Sequence, residues 1–211
     1  KPFRLAVQDV YRFTESGDDR RIVAGTVASG MAAAGDEIIF YPSGKRSWIE
    51  RILSWPEGTT TGQQSIAAGQ AVGFTLTEQV YIQRGEIAGR VGDLPPQTTR
   101  RLRVSLFWLG KTPLMMKKTY TIKLGTARRR GHVEKVLRVL DAGSLEDCGE
   151  KSQVERNELA DCILALDHAL ACDPADELAD TSRFVIVDGY DICGGGVIRK
   201  GLLDAESWVR H

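Results

Sequence analysis

RIVAGTVASGMAAAGDEIIF, residues 21–40 of the 211-residue chain, is the stretch whose reading decides the fold. It reads as a strand, a turn and a second strand. Gly25 interrupts the first apolar run, and a glycine inside a strand marks a bulge or a close approach of backbones. Gly30 and the pair Gly35-Asp36 punctuate the connection. Gly-Asp directly ahead of Glu37, Ile38, Ile39 and Phe40 is a turn signal that opens the next strand. The pattern predicts a small β-barrel.

Working outward, short apolar runs between turn signals fill the first ~90 residues, the spacing of an all-β barrel. Residues 2–13 (PFRLAVQDVYRF) alternate Phe3, Leu5 and Val7 against Arg4, Ala6 and Gln8. Ser16, Gly17, Asp18 and Asp19 form a loop. Residues 37–41, 47–55 and 71–76 read as strands, and the Gly- and Thr-rich residues 56–64 read as a loop. Residues 79–83 read as a strand leading into Arg84-Gly85-Glu86. A boundary falls near residues 92–99, where paired prolines with polar neighbours read as an extended linker. Beyond it Leu102, Val104, Leu106 and Trp108 alternate with Arg101, Arg103, Ser105 and Phe107. Residues 119–124 and 132–140 alternate similarly, and residues 183–188 and 192–198 flank a Gly189-Tyr190 turn. This half reads as a second β-domain. Residues 157–171 are open: Leu159, Ile163, Leu166 and Leu170 stand at helical spacing, whereas Ala160, Cys162, Leu164 and Leu166 alternate as in a strand. Local propensity alone favours helix there.

A chain of this length buries roughly 70% of the surface its unfolded form exposes, so its stability requires neither metal nor disulfide. With 28 basic and 28 acidic residues the net charge is +0. That balance argues against a nucleic-acid binder driven by bulk charge. The four cysteines, Cys148, Cys162, Cys172 and Cys193, show no C-x-x-C spacing and read as reduced, partly buried thiols. Cys162, His168 and Cys172 lie near one another without zinc-ligand spacing. No apolar run approaches the ~20 residues of a membrane helix. No signal peptide precedes the first element, so the expected compartment is the cytoplasm. The chain opens at Lys1-Pro2-Phe3 without a Met and reads as a domain cut from a longer protein.

Catalytic and nucleotide motifs are missing. The sequence has no GxxxxGK[ST] phosphate loop, no GxSxG and no HExxH. Gly194-Gly195-Gly196 is the one glycine cluster. It sits among apolar residues with no Lys-Ser/Thr after it, and reads as backbone crowding at a barrel closure rather than a phosphate cradle. His132 and His168 have no evident triad partner in the sequence.

The motifs VAGTVASG, AAGDEI and AGQAVGFTL (residues 68–76) carry a resemblance to the two β-barrels on the C-terminal side of elongation-factor-type GTPases. PFRLAVQDVYRF, EQVYIQRGEIAG (78–89), LFWLG (106–110), VERNELADCILALD (154–167) and RFVIVDGYDICGGGVI (183–198) are more specific. They make the chain similar, within that superfamily, to the large-subunit family of bacterial sulfate adenylyltransferases. The resemblance implies two tandem β-barrels, a domain II-like barrel over residues 1–92 and a domain III-like barrel over 93–200, followed by a tail or linker at 201–211. It favours a strand over 157–171. In that family a heterodimer converts ATP and sulfate to adenosine 5′-phosphosulfate and pyrophosphate, and GTP hydrolysis by the large subunit drives the step. The implied partners are the small subunit, the family's own GTP-binding domain, and in some members an adenylylsulfate kinase domain after the second barrel. GTP and Mg belong to the GTP-binding domain, so this chain is expected to hold no catalytic, cofactor or metal residues. The rival is a pair of translation or ribosome-rescue barrels that bind tRNA-like ligands. A third reading is an isolated β-domain without retained activity.

Interface candidates follow. Arg84-Gly85-Glu86 matches the Arg-Gly position of the translation-factor barrel, whose loop faces the aminoacyl end of tRNA; by analogy Arg84 and Glu86 are expected to face the small subunit or the GTP-binding domain, the plainer reading being a solvated ion pair on a surface turn. Phe107 and Trp108 are adjacent on a strand and point to opposite faces, one into the core and one outward. Arg128, Arg129 and Arg130 form the densest positive run, suited to an acidic or phosphate-bearing partner. The plainer reading is a solvated hairpin tip that blunts a sheet edge.

Overall fold

The computed structural model describes residues 1–12, 21–53, 64–144, 146–149 and 151–203. The expected loop at Ser16 to Asp19, the continuation to Trp55, loop residues 56–63 and tail residues 204–211 lie outside the described residues. The chain divides into two compact units, Lys1–Pro96 and Gln97–His211.

In the first unit β1 (Arg4–Arg12), β2 (Arg21–Ser29), β4 (Glu37–Tyr41), β5 (Lys45–Leu53), β7 (Ala71–Leu76) and β8 (Ile87–Arg90) close into a barrel ordered β1-β2-β7-β5-β4-β8. Two short strands, β3 (Met31–Ala33) and β6 (Ser65–Ala67), pair separately. Period-2 alternation turns Leu5, Val7, Val23, Val27, Ile38, Phe40, Ile49 and Phe74 inward, all nearly inaccessible. Gly25 acts as the sequence predicts. A β-carbon there would stand 2.3 Å from the Ala6 carbonyl oxygen. The β1–β2 register slips beside it, Val7 pairing with Gly25 and Asp9 with Ala24, which leaves Gln8 as a bulge.

A second register slip falls where Arg4 pairs with Ser29 and Leu5 with Val27, leaving Ala28 of β2 unpaired. Arg4 alternates with the core residues Phe3 and Leu5 and is nevertheless fully buried. Its Nη1 donates to Phe3 O and its Nη2 to Leu94 O at 2.6 Å. Asp93 accepts from the Phe3 amide at 2.7 Å and from Arg90 Nη2 at 2.9 Å. Asp93 and Leu94, read from sequence as linker, are therefore tied to the start of β1. Residues 79–83 are also corrected: they run outside the ladder, and the chain rejoins β1 only where the Gly85 amide donates to Val7 O.

The second unit contains β9 (Gln97–Trp108), β11 (Tyr120–Leu124), β12 (Ala127–Asp141), β14 (Glu158–Cys172), β15 (Arg183–Asp188) and β16 (Asp191–Leu202). They close in the order β11-β12-β14-β9-β16-β15. The small pair β10 (Leu114–Met115) and β13 (Gln153–Val154) lies beside the ladder. The ambiguous segment is strand β14. Ala160, Cys162, Leu164 and Leu166 point inward, while Leu159, Asp161, Ile163 and Ala165 are half-buried outside. Helix propensity loses because β14 is claimed on both sides, by β12 and by β9. Strand β9 starts at Gln97, inside the expected linker, because Thr98 and Thr99 pair with Ala171 and Leu170. Strand β16 runs to Leu202, past the expected end of the barrel.

Gly194 to Gly196 sit on β16 between β9 and β15. A β-carbon on Gly196 would lie 2.0 Å from Ser105 O, and one on Gly195 2.9 Å from Phe184 O. No described helix is long and apolar enough to cross a membrane.

Replacing Gly196 by Ala should destabilise the second barrel by about 1–3 kcal/mol, the cost of forcing volume into a packed contact; urea unfolding of the variant measures it. Asp93 supplies a pH test. Burial pushes its carboxyl up, but the Phe3 amide and the Arg90 guanidinium outweigh that and hold it below the ordinary 3.8. A depressed folded pKa means the contribution is complete above the unfolded value and is lost as pH falls through the folded one. Asp93→Asn should therefore lower the unfolding midpoint at neutral pH, and the gap from wild type should close below about pH 3.8.

Candidate interface surfaces

The expected interface residues separate into buried and exposed groups. Trp108 is a core residue, 1% exposed. Its Nε1 donates to Thr112 O at 2.8 Å, and its ring meets Tyr120 edge-on with centroids 5.9 Å apart. Gly110 lies against that ring, where a β-carbon would stand 2.7 Å from Cζ2. The motif LFWLG is thus a packing motif: strand, indole, and a glycine that lets the chain turn over the indole. Phe107 lies on the outer face of β9, half-buried between Leu159 and Gly195.

Glu86 is 6% exposed, and its carboxylate has no open surface. The reading of Arg84 and Glu86 as a solvated surface pair is corrected: Glu86 sits where the chain rejoins β1, with its carbonyl accepting from the Val7 amide at 2.9 Å. Arg84 is exposed beside Gly85, whose φ of 94° forms the turn.

The arginine run lies in strand β12, not at a hairpin tip, and the closed barrel gives it no free edge to blunt. Arg129 points toward the barrel end and donates from Nε to Ala169 O at 3.2 Å. Arg128 and Arg130 are exposed, with Lys123 directly opposite Arg128 on β11. All three arginines, with Thr119, Thr121 and Asp167, line an open groove of about 560 Å³. Asp167 accepts there from the Arg130 amide at 3.2 Å.

A groove of about 540 Å³ on the first barrel was not anticipated from sequence. Asp9, Arg12, Arg21, Tyr81 and Arg84 line it. Tyr81 is 62% exposed, and Lys45 Nζ sits 4.9 Å from its ring centroid. The signal available in the sequence was Arg12 and Arg21 flanking one hairpin.

Neither groove is arranged for catalysis. Cys162 and Cys172 are fully buried, and burial pushes both thiols up to about 12. They are unreactive core residues, whereas Cys148 and Cys193 are half-buried. His168 is 80% exposed and lies 3.5 Å from Asp167, turned away from both core cysteines. Among the described residues no group of three or more His, Cys, Asp or Glu is placed to hold a metal. Gly194 to Gly196 do not fit a nucleotide phosphate, because the run is paired along both sides within β16.

Comparison with known proteins accords with this architecture. Residues 101–199 match the GTP-eEF1A C-terminal domain-like family. The fold is shared with Sup35 solved with GDP and with GMPPNP, at a TM-score of 0.84 and 15% identity over 96% of this chain and 48% of Sup35. That likeness is one of fold, a pair of closed β-barrels. In sequence the chain is similar to proteins named sulfate adenylyltransferase subunit 1. It is 33% identical to that protein of Aeromonas hydrophila over 204 residues and 34% identical to that of Tolumonas auensis. Each match takes in 95% of this chain and 41% of the relative, so the chain spans about two fifths of the curated proteins it matches.

Truncation separates core from surface at the adjacent aromatics. Trp108→Ala should cost about 3–5 kcal/mol, and Phe107→Ala about 1–2 kcal/mol. Chemical denaturation of the two variants gives both values.

Proposed function

We propose that this chain is the barrel portion of a GTP-dependent sulfate adenylyltransferase large subunit. It couples a GTP-binding domain to the small subunit that makes adenosine 5′-phosphosulfate. The observation that carries this reading is the relationship along 95% of the chain to proteins named sulfate adenylyltransferase subunit 1. Two further features support it. The sequence lacks a phosphate loop, and neither groove gathers a nucleophile with a base. GTP and Mg are then bound by another part of the parent protein, and the barrels act by docking.

The docking surfaces in this reading are the half-buried Phe107 face of β9, the Arg128 and Arg130 groove, and the Arg84 groove. Aromatic and arginine side chains are enriched at protein interfaces, which supports these faces as docking surfaces. Coupling then proceeds by movement of whole barrels rather than by chemistry within them. An adenylylsulfate kinase domain following the second barrel is compatible with this arrangement.

The purified chain should co-elute with the small subunit on size exclusion, and isothermal calorimetry with GTP should give no heat of binding. Tight GTP binding, or failure to associate with the small subunit in the presence of the GTP-binding domain, would overturn the proposal. Binding to tRNA that falls steeply with salt would instead favour the translation-factor reading.

A further inference from the structure

The first-barrel groove combines three guanidinium groups from separate parts of the chain. Arg12 ends β1, Arg21 begins β2, and Arg84 lies in the turn before β8. Arg12 and Arg21 are directly opposite in the antiparallel register. Like charges placed so destabilise a sheet, and a cross-strand pair of this kind is ordinarily avoided. None of the three has a hydrogen-bond or ion-pair partner among the described residues. Arg21 goes further: its Nε is buried from water and has no acceptor. A buried donor left unpaired is costly, so an acceptor from outside would relieve it. One described carboxylate lines the groove, Asp9, whose Oδ1 accepts from the Val10 amide at 2.8 Å and which forms no ion pair with the three arginines.

The groove also carries Tyr81, 62% exposed, with its backbone carbonyl accepting from Lys45 Nζ. An exposed tyrosine beside several arginines is the composition of protein-binding hot spots. The groove is open and offers a single exposed ring, which is poor for stacking successive bases along a nucleic-acid strand. Planar guanidinium forks match carboxylates two oxygens at a time.

We infer that the Arg12, Arg21 and Arg84 groove is a docking site for an acidic protein segment, its carboxylates pairing with the three guanidinium groups and its backbone lying across Tyr81. The inference rests on the reading of the chain as a docking platform and names the chemistry of one partner surface.

The test uses the whole chain with a fluorescein-labelled deca-glutamate peptide, followed by anisotropy at low salt. The peptide should bind, and Arg12→Glu with Arg84→Glu should weaken it by at least about tenfold. Lys111→Glu with Lys117→Glu, exposed positions on the other unit outside either groove, should leave it unchanged. Arg12→Glu should also keep or raise the melting temperature, since it converts a like-charge pair with Arg21 into an opposite one. Three results would overturn the inference: unchanged peptide affinity in the Arg12/Arg84 variant, equal loss in the Lys111/Lys117 variant, or a single-stranded RNA oligonucleotide or inorganic pyrophosphate binding more tightly than the peptide. Because the probe is a peptide and the sample is the chain alone, failure here is distinct from failure to associate with the small subunit.

Discussion

The second barrel closes because backbone meets backbone along β16. Gly194, Gly195 and Gly196 lie between β9 and β15 with carbonyl oxygens where side chains would otherwise begin. A β-carbon at Gly196 would push β16 away from Ser105 and Leu106. Trp108, two residues along β9 from the same contact and pressed against Gly194, would lose a wall of its pocket. The indole, its edge-on contact with Tyr120 and its bond to Thr112 therefore all depend on three absent side chains. The first barrel has the same device in smaller form, Gly25 against Ala6 with a bulge beside it.

Closure has a functional consequence. A sheet closed on itself presents no edge for strand addition, and its interior is filled with side chains. What remains for recognition is the outer face of the strands and the ends of the barrel. There the arginines collect, Arg128 and Arg130 on one unit and Arg12, Arg21 and Arg84 on the other. The buried titratable groups serve structure. Arg4 binds the carbonyls of Phe3 and Leu94, and Asp93 holds the Phe3 amide against Arg90. Cys162 and Cys172 are small apolar residues of the core, with thiols held protonated by burial.

Much of the fold was legible in the sequence. Period-2 patterns at residues 102–108 and 160–166 named the inward faces of β9 and β14, and Gly25 and Gly194 to Gly196 marked where backbones approach. The readings that failed share a cause. Arg4 looked exposed until the Asp93-Leu94 segment met it. Residues 79–83 looked like a strand but run outside the barrel's ladder. Glu86 looked exposed until the chain rejoined β1 over it. Each depends on which strand lies alongside, and that is not written in the local pattern.

Alternation, turn residues and glycine positions are properties of a few consecutive residues, so the sequence by itself determined that this chain forms two β-domains with these inward faces. Its motifs also determined its kinship with sulfate adenylyltransferase subunit 1. The tertiary structure decided which polar groups are surface and which are interior. It drew Arg12, Arg21 and Arg84 into one groove, placed Trp108 inside and Phe107 outside, and sealed Glu86 from water. The physical reason is that burial and charge proximity arise from barrel closure, which brings together segments far apart in the chain.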